Sequence, residues 1–302
     1  MTRGRKTYLF AIVCTLLLAD IASAQSRRNA RGDSATAGTI LSVVATRQDK
    51  KTDIIRPENL NLYENGIEQK IKNFSYDPSP SKIVILIDNS QTLQISVEAM
   101  KKAVMEFAYE IFEGDQLFVL AYDMHAEIIQ EWTDDAKKME VSLGTLRKKG
   151  NPYLFDAINS TLKEVLLPLM PATRKTAVIL ISDGLDRGSK TPYDLMLSQL
   201  QEQNVTVYSL QIPDRSGGAY RRDQPKAKVI MNQLAEETGG QVFPFEEAST
   251  AAKFICDELR KNRYLLSYTP ANTSSFDARR LLLIGDEGIT LRTKTFQPPN
   301  VK

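Results

Sequence analysis

Histidine, tryptophan and cysteine are scarce in this 302-residue chain, with one, one and two copies, and each shortage closes off a class of chemistry. The lone histidine, His125, lies between Met124 and Ala126 in a stretch read as a hairpin turn. An exposed turn residue is expected there rather than a catalytic base, and no second imidazole is available for a relay or a zinc site. Of the two cysteines, Cys14 falls inside an N-terminal apolar run, which leaves Cys256 as the single thiol of the processed chain. No internal disulfide can form, so a packed core has to hold the fold and a buried structural thiol is expected. Trp132 is expected in the core beside an edge strand. Charge of one sign is also in short supply: 39 Lys and Arg face 37 Asp and Glu, a formal excess of +2. Nothing in that balance asks for nucleic acid. No Gly-rich phosphate loop, metalloprotease motif or Gly-x-Ser-x-Gly elbow is present.

What is present begins with a leader. Arg3, Arg5 and Lys6 precede an apolar run from Tyr8 to Ala19, and Ala22, Ser23 and Ala24 give a small-residue cleavage pattern before Gln25. The run stops at Asp20, short of the roughly 20 residues that cross a bilayer, so residues 1–24 read as a secretory signal peptide with no retained transmembrane helix. An exported protein, periplasmic or extracellular, is expected. Residues 25–38 are small, polar and basic and read as a disordered linker.

From Ile40 onwards the pattern divides into three. Residues 39–77 hold short β-rich runs: Ile40 to Val44, Leu60 to Tyr63, and Ile71 to Tyr76 after the turn residues Glu64, Asn65 and Gly66. Residues 82–263 then alternate apolar β-branched runs with helical spacing, beginning with Ile83 to Ile87, as strands buried on both faces require. This predicts a doubly wound, mostly parallel α/β sheet. Residues 264–297 return to β pattern. Neither flank can bury a core alone, so the two are expected to pair into a small β module.

In a doubly wound sheet, ligands gather beyond the carboxyl ends of the strands. There the first buried strand runs into Asp88, Asn89, Ser90, Gln91, Thr92, and the strand Ala177 to Ile181 runs into Ser182, Asp183, Gly184. Two carboxylates and two hydroxyls from separate strand ends are hard oxygen donors of the kind magnesium takes. Taken singly, each has a plainer reading: Asp88 and Ser90 as caps of the following helix, Asp183 with Gly184 as a turn pair. Asp123 and Asp186 are expected to be solvated loop carboxylates, Arg147 to Lys149 a solvated helix end, and Tyr153 and Phe155 packing residues.

On these loops the chain resembles the von Willebrand factor type A family, whose metal-ion-dependent adhesion site joins an Asp-x-Ser-x-Ser loop to a threonine and an aspartate from two other loops. Its flanks resemble those of bacterial exported relatives: Arg56 to Leu60 with Tyr63 to Gly66 and Gln69 on one side, Arg263 to Tyr268 on the other. The resemblance runs from about Ile40 to Pro298. It implies metal ligands at Asp88, Ser90, Thr92 and Asp183, a bound Mg2+ (or Mn2+ or Ca2+), a protein partner held through a carboxylate, and no enzymatic activity. In the second loop, Gly150 to Ala157, the family's threonine position falls on Pro152, which has no donor side chain. A metal-independent scaffold or interaction subunit is therefore the alternative. A phosphatase-like hydrolase is less favoured, because such enzymes use Asp-x-Asp and Ser90 stands where their general acid belongs.

Overall fold

The computed structural model describes residues 38–48, 54–170, 172, 174–213, 226–272 and 276–299. The expected leader, and the linker up to residue 37, lie outside the described residues.

The flanking β runs come first in chain order: β1 (Thr39–Arg47), β2 (Leu60–Glu64), β3 (Ile67–Gln69) and β4 (Ile71–Tyr76). The α/β unit follows as β5 (Lys82–Asp88), α1 (Val97–Glu110), β6 (Gln116–Tyr122), β7 (Ala126–Thr133), α2 (Ala136–Leu143) and α3 (Leu154–Ser160). It continues through β8 (Thr176–Ser182), α4 (Tyr193–Glu202), β9 (Thr206–Gln211), α5 (Ala227–Thr238), β10 (Val242–Pro244) and α6 (Ala248–Lys261). The chain closes with β11 (Arg263–Tyr268), β12 (Arg279–Gly285), β13 (Ile289–Arg292) and β14 (Phe296–Gln297).

The central sheet has the order β10-β9-β8-β5-β6-β7, parallel throughout except for the antiparallel edge strand β7. Side chains of β5 alternate between its two faces, as strand geometry demands. Ile83, Ile85 and Ile87 join the layer of Met100, Val104 and Phe107 from α1 and Ile255 and Leu259 from α6. Val84 and Leu86 join Leu154, Ile158, Leu200, Ile230 and Leu234 from α3, α4 and α5. Because β5 is flanked by β6 on one side and β8 on the other, the chain reverses direction across the sheet at β5 and β8. Such a reversal is where doubly wound sheets place their crevice, at the strands' carboxyl ends.

The flanks do pair, as two antiparallel sheets ordered β13-β1-β11-β4 and β14-β12-β2-β3. Leu41, Val43, Phe74, Leu266 and Tyr268 from the first meet Leu60, Leu62 and Leu281 from the second. Within the second sheet Arg279 Nε donates to Glu64 Oε1 at 2.8 Å in a buried ion pair, and the Tyr268 hydroxyl of the first sheet ties the two by donating to the same oxygen at 3.0 Å. The β module is also bonded to the α/β unit. Arg263 donates to Ser42 Oγ at 2.6 Å and to Thr206 Oγ1 at 2.9 Å, and buried Lys294 donates to the Gln201 carbonyl at 2.6 Å.

Two local features depart from the sequence pattern. The apolar residues Leu154, Ile158, Leu162, Val165 and Leu169 recur at the spacing of one long helix, yet the segment is α-helical only to Ser160, then π from Thr161–Leu166 and 3-10 from Leu167–Leu169. The α2 helix, capped by Asp135 accepting from Lys137 and Lys138, follows the edge strand directly.

Candidate metal centre

The sheet delivers Asp88 and Asp183 to neighbouring strand ends, since β5 and β8 are paired in register up to Ile87 and Ile181. The first loop then turns sharply: the Ser90 amide donates to Asp88 Oδ1 at 2.8 Å, and the Ser90 and Thr92 hydroxyls lie 3.1 Å apart. The helix after this loop starts only at Val97 and is capped by Ser96, whose hydroxyl accepts from the Ala99 amide. Capping of α1 is thus not the role of Asp88 or Ser90. Asp183 does make a turn contact, its Oδ1 accepting from the Leu185 amide at 2.9 Å.

Asp88 is fully buried and Asp183 is 6% exposed, yet the groups bonded to the Asp88 oxygens are polar. Tyr122 Oη lies 3.4 Å from Asp88 Oδ2 and 3.0 Å from Ser182 Oγ, and Ser182 Oγ lies 3.3 Å from Asp88 Oδ2, so the three share one hydrogen-bonded cluster. Burial first, and the charge of Asp183 second, push the Asp88 carboxyl up to about 7. Asp183 thus lies near enough for its charge to oppose ionisation of Asp88. Tyr122 and Ser182 are the last residues of β6 and β8, and the sequence pattern assigned neither a role. Their position at strand ends beside the crevice was the available signal.

The second loop is held against the first. Gln91 donates to the Gly150 carbonyl at 3.2 Å, Lys149 to the Asn89 carbonyl at 2.9 Å, and Asn89 Nδ2 to the Arg147 carbonyl at 2.8 Å. Lys148 reaches the Leu93 carbonyl, so this basic stretch serves as a clamp between loops as well as a charged rim. Gly150, at φ +61, packs so closely on Asp123 that a Cβ there would lie 2.4 Å from Asp123 Oδ2. Pro152 is buried, and its carbonyl accepts from the Arg187 amide at 2.8 Å.

Asp123 and Asp186 are not the solvated carboxylates expected from their loops, being 7% and 1% exposed. Asp123 Oδ1 accepts from the His125 amide at 3.1 Å. Asp186 accepts from the Phe155 amide at 3.4 Å and from Ser189 Oγ at 2.5 Å, linking the third loop to the start of α3. Their donors come from folded loops rather than from water. His125 is exposed in its turn, Phe155 is buried, Trp132 packs on Phe118 at 5.2 Å, and Cys256 is a buried free thiol.

Among the described residues, no three His, Cys, Asp or Glu side chains gather as a metal-binding group. The candidate donors at the crevice are two carboxylates and two hydroxyls, an all-oxygen set that suits a hard divalent cation completing its shell with water. A cation also relieves the repulsion that raises the Asp88 carboxyl. On that chemistry the residues fit the group.

Fold and crevice together define the class: a doubly wound α/β domain with an oxygen-rich centre at its topological switch point. Residues 83–185, from β5 to the loop after β8, match the family model of the von Willebrand factor type A domain. Among curated proteins nothing matches the chain. Solved structures similar to it include an aerotolerance-related membrane protein from Bacteroides fragilis, at 20% identity and TM-score 0.46, over 60% of this chain and 99% of that one. Another is a von Willebrand factor type A protein from Catenulispora acidiphila, at 12% identity and TM-score 0.48, over 86% and 74%. A third is proximal thread matrix protein 1 of the mussel byssus with a zinc-occupied MIDAS motif, at 16% identity and TM-score 0.45, over 64% and 48%.

Proposed function

We propose that this chain is an exported, non-enzymatic protein-binding module that holds a divalent cation, Mg2+ or a similar hard ion, through Asp88, Ser90, Thr92 and Asp183. Its parts are a leader (1–24), a linker (25–38), an N-terminal β segment (39–77), the von Willebrand factor type A domain (82–263) and a C-terminal β segment (264–297). The observation that carries the reading is the pair of buried carboxylates at adjacent strand ends, close enough for one to raise the pKa of the other. Asp88 and Asp183 supply negative charge and the hydroxyls of Ser90 and Thr92 supply neutral oxygens. Tyr122 and Ser182 hold the Asp88 carboxylate in place. The bound ion would supply an open coordination position for a carboxylate of the partner. Among the described residues no helix is long and apolar enough to cross a membrane.

Pro152 favours a second reading, a metal-independent scaffold, because it brings no donor side chain and its carbonyl is already engaged by Arg187. Thermal unfolding separates the two. A ligand that binds only the folded state raises its stability by mass action, about 2.7 kcal/mol at a hundredfold excess over Kd. Magnesium or manganese is expected to raise the Tm of the wild-type chain but not of Asp88→Ala/Asp183→Ala. That double variant should remain folded and fail to capture a partner from the native envelope fraction. An unchanged wild-type Tm in saturating metal, with partner capture insensitive to chelator, establishes the scaffold reading instead.

A further inference from the structure

The strand β12 breaks the alternation that a half-exposed strand needs. In an antiparallel sheet with one face in water, apolar and polar residues alternate, whereas a continuous apolar run belongs to a strand covered on both faces. Leu281 to Ile284 is such a run. Leu281 is buried in the core of the β module and Leu283 packs against that core. Leu282 and Ile284 lie on the other face and are 55% and 45% exposed. Register sets Tyr63 of β2 opposite Leu282, and Phe296 of β14 opposite Arg280, so apolar side chains extend across three strands of the outer face. They line an open groove of about 910 Å3.

Two charges flank these apolar residues. Arg280 comes from the start of β12 and is exposed, and Glu237 comes from the last turn of α5 and is half-buried. Among the described residues neither side chain has a hydrogen-bond or ion-pair partner, and the two do not pair with each other. Burial first, then the charges of Asp194 and Glu236, raise the Glu237 carboxyl, so it sits among carboxylates with no cation to hold it. An apolar surface between an unpaired guanidinium and an unpaired carboxylate is complementary to itself. Turned about a two-fold axis, it sets carboxylate against guanidinium twice. A partner of one charge sign satisfies only one of the two groups.

We propose that this face is a homodimer interface, on which a second copy of the chain packs about a two-fold axis with Arg280 of each copy against Glu237 of the other. Burying Leu282 and Ile284 removes from water the exposed apolar residues that β12 presents on its outer face. The interface is separate from the metal centre. The Ala227 carbonyl, at the start of α5, packs on Gly184 beside Asp183, and Glu237 is about 15 Å further along the helix axis. The dimer therefore stands or falls independently of the function argued above.

Sedimentation equilibrium of the full chain, with chelator present, is expected to give a dimer. Arg280→Glu and Glu237→Arg each set like charges together at both symmetry-related contacts, and each should weaken dimerisation about a hundredfold, roughly tenfold per contact. Mixed in equal amounts, the two variants should re-associate as a heterodimer, because both contacts are then between opposite charges. Variants that had merely failed to fold could not do this. Leu282→Ser/Ile284→Ser, a change of exposed residues, should give a monomer with the circular dichroism of wild type. A wild-type chain that stays monomeric at every concentration, a dimer that the charge reversals or the serine variant leave intact, or reversed variants that do not re-associate on mixing overturns the proposal. So does a monomeric chain that captures another envelope protein through Leu282 and Ile284, which assigns the face to a foreign partner. Magnesium protection of the fold reads the metal function separately.

Discussion

Asp88→Asn keeps the shape of a side chain at the centre of the candidate site and removes its charge, which separates what the carboxylate does for folding from what it does for a cation. Without metal, the Asp88 carboxyl is pushed up to about 7 by burial and by Asp183, against about 3.9 in an unfolded chain. The folded state therefore holds a proton that the unfolded state has released between those two values. Stability from this group is full below about pH 4 and is lost as pH rises through about 7. A difference of about 3 pH units corresponds to roughly 4 kcal/mol lost at pH 8, at about 1.4 kcal/mol per unit. Asparagine carries no such penalty, and its Oδ1 can still accept from the Ser90 amide, as Asp88 Oδ1 does at 2.8 Å. The Tyr122 and Ser182 hydroxyls can rotate to accept from its amide group. Allowing about half of the gain to be lost to imperfect packing, Asp88→Asn at pH 8 in chelator should exceed wild type by about 2 kcal/mol. That is roughly 4–8 °C in Tm for a domain of this size. The assay is thermal or urea unfolding of both proteins in chelator at pH 5 and pH 8, then in magnesium. Wild type should lose stability between the two pH values and regain it with magnesium, while the variant should do neither. If Asp88→Asn is less stable than wild type at pH 8 without metal, or keeps the magnesium response, the electrostatic account of the crevice is refuted.

Two further outcomes follow from the same structure. Pro152→Thr places a hydroxyl where the second loop departs from the von Willebrand factor type A pattern, and on the proposed metal function it should tighten magnesium binding severalfold in a calorimetric or thermal-shift titration. Unchanged affinity would mean that this position does not face the crevice. Arg279→Met leaves the Glu64 carboxylate buried at 3% exposure without its cation, which should cost about 3–5 kcal/mol in urea unfolding. A loss below about 1 kcal/mol would show the pair to be dispensable to the β module.

The order of elements and the central sheet were legible in the amino-acid sequence because runs such as Ile83 to Ile87 can be satisfied only by a strand covered on both faces. The strand-end positions of Asp88 and Asp183 follow from that pattern alone. So does the return to β structure after Arg263, because short alternating runs at both ends of the chain have no core without each other. What the sequence does not contain is register and reach. That β1 lies between β11 and β13, and that Glu64 meets Arg279 and Tyr268, depends on pairing between distant segments whose local composition is ordinary. Asp123 and Asp186 lie in loops that read as solvated; Asp123 takes the His125 amide two residues along the chain, and only tertiary packing gives Asp186 the Phe155 amide as a partner. Local sequence sets which residues are polar and which strands are apolar. The burial of a particular carboxylate, and with it the chemistry at the crevice, is decided by which distant donors the closed fold brings against it.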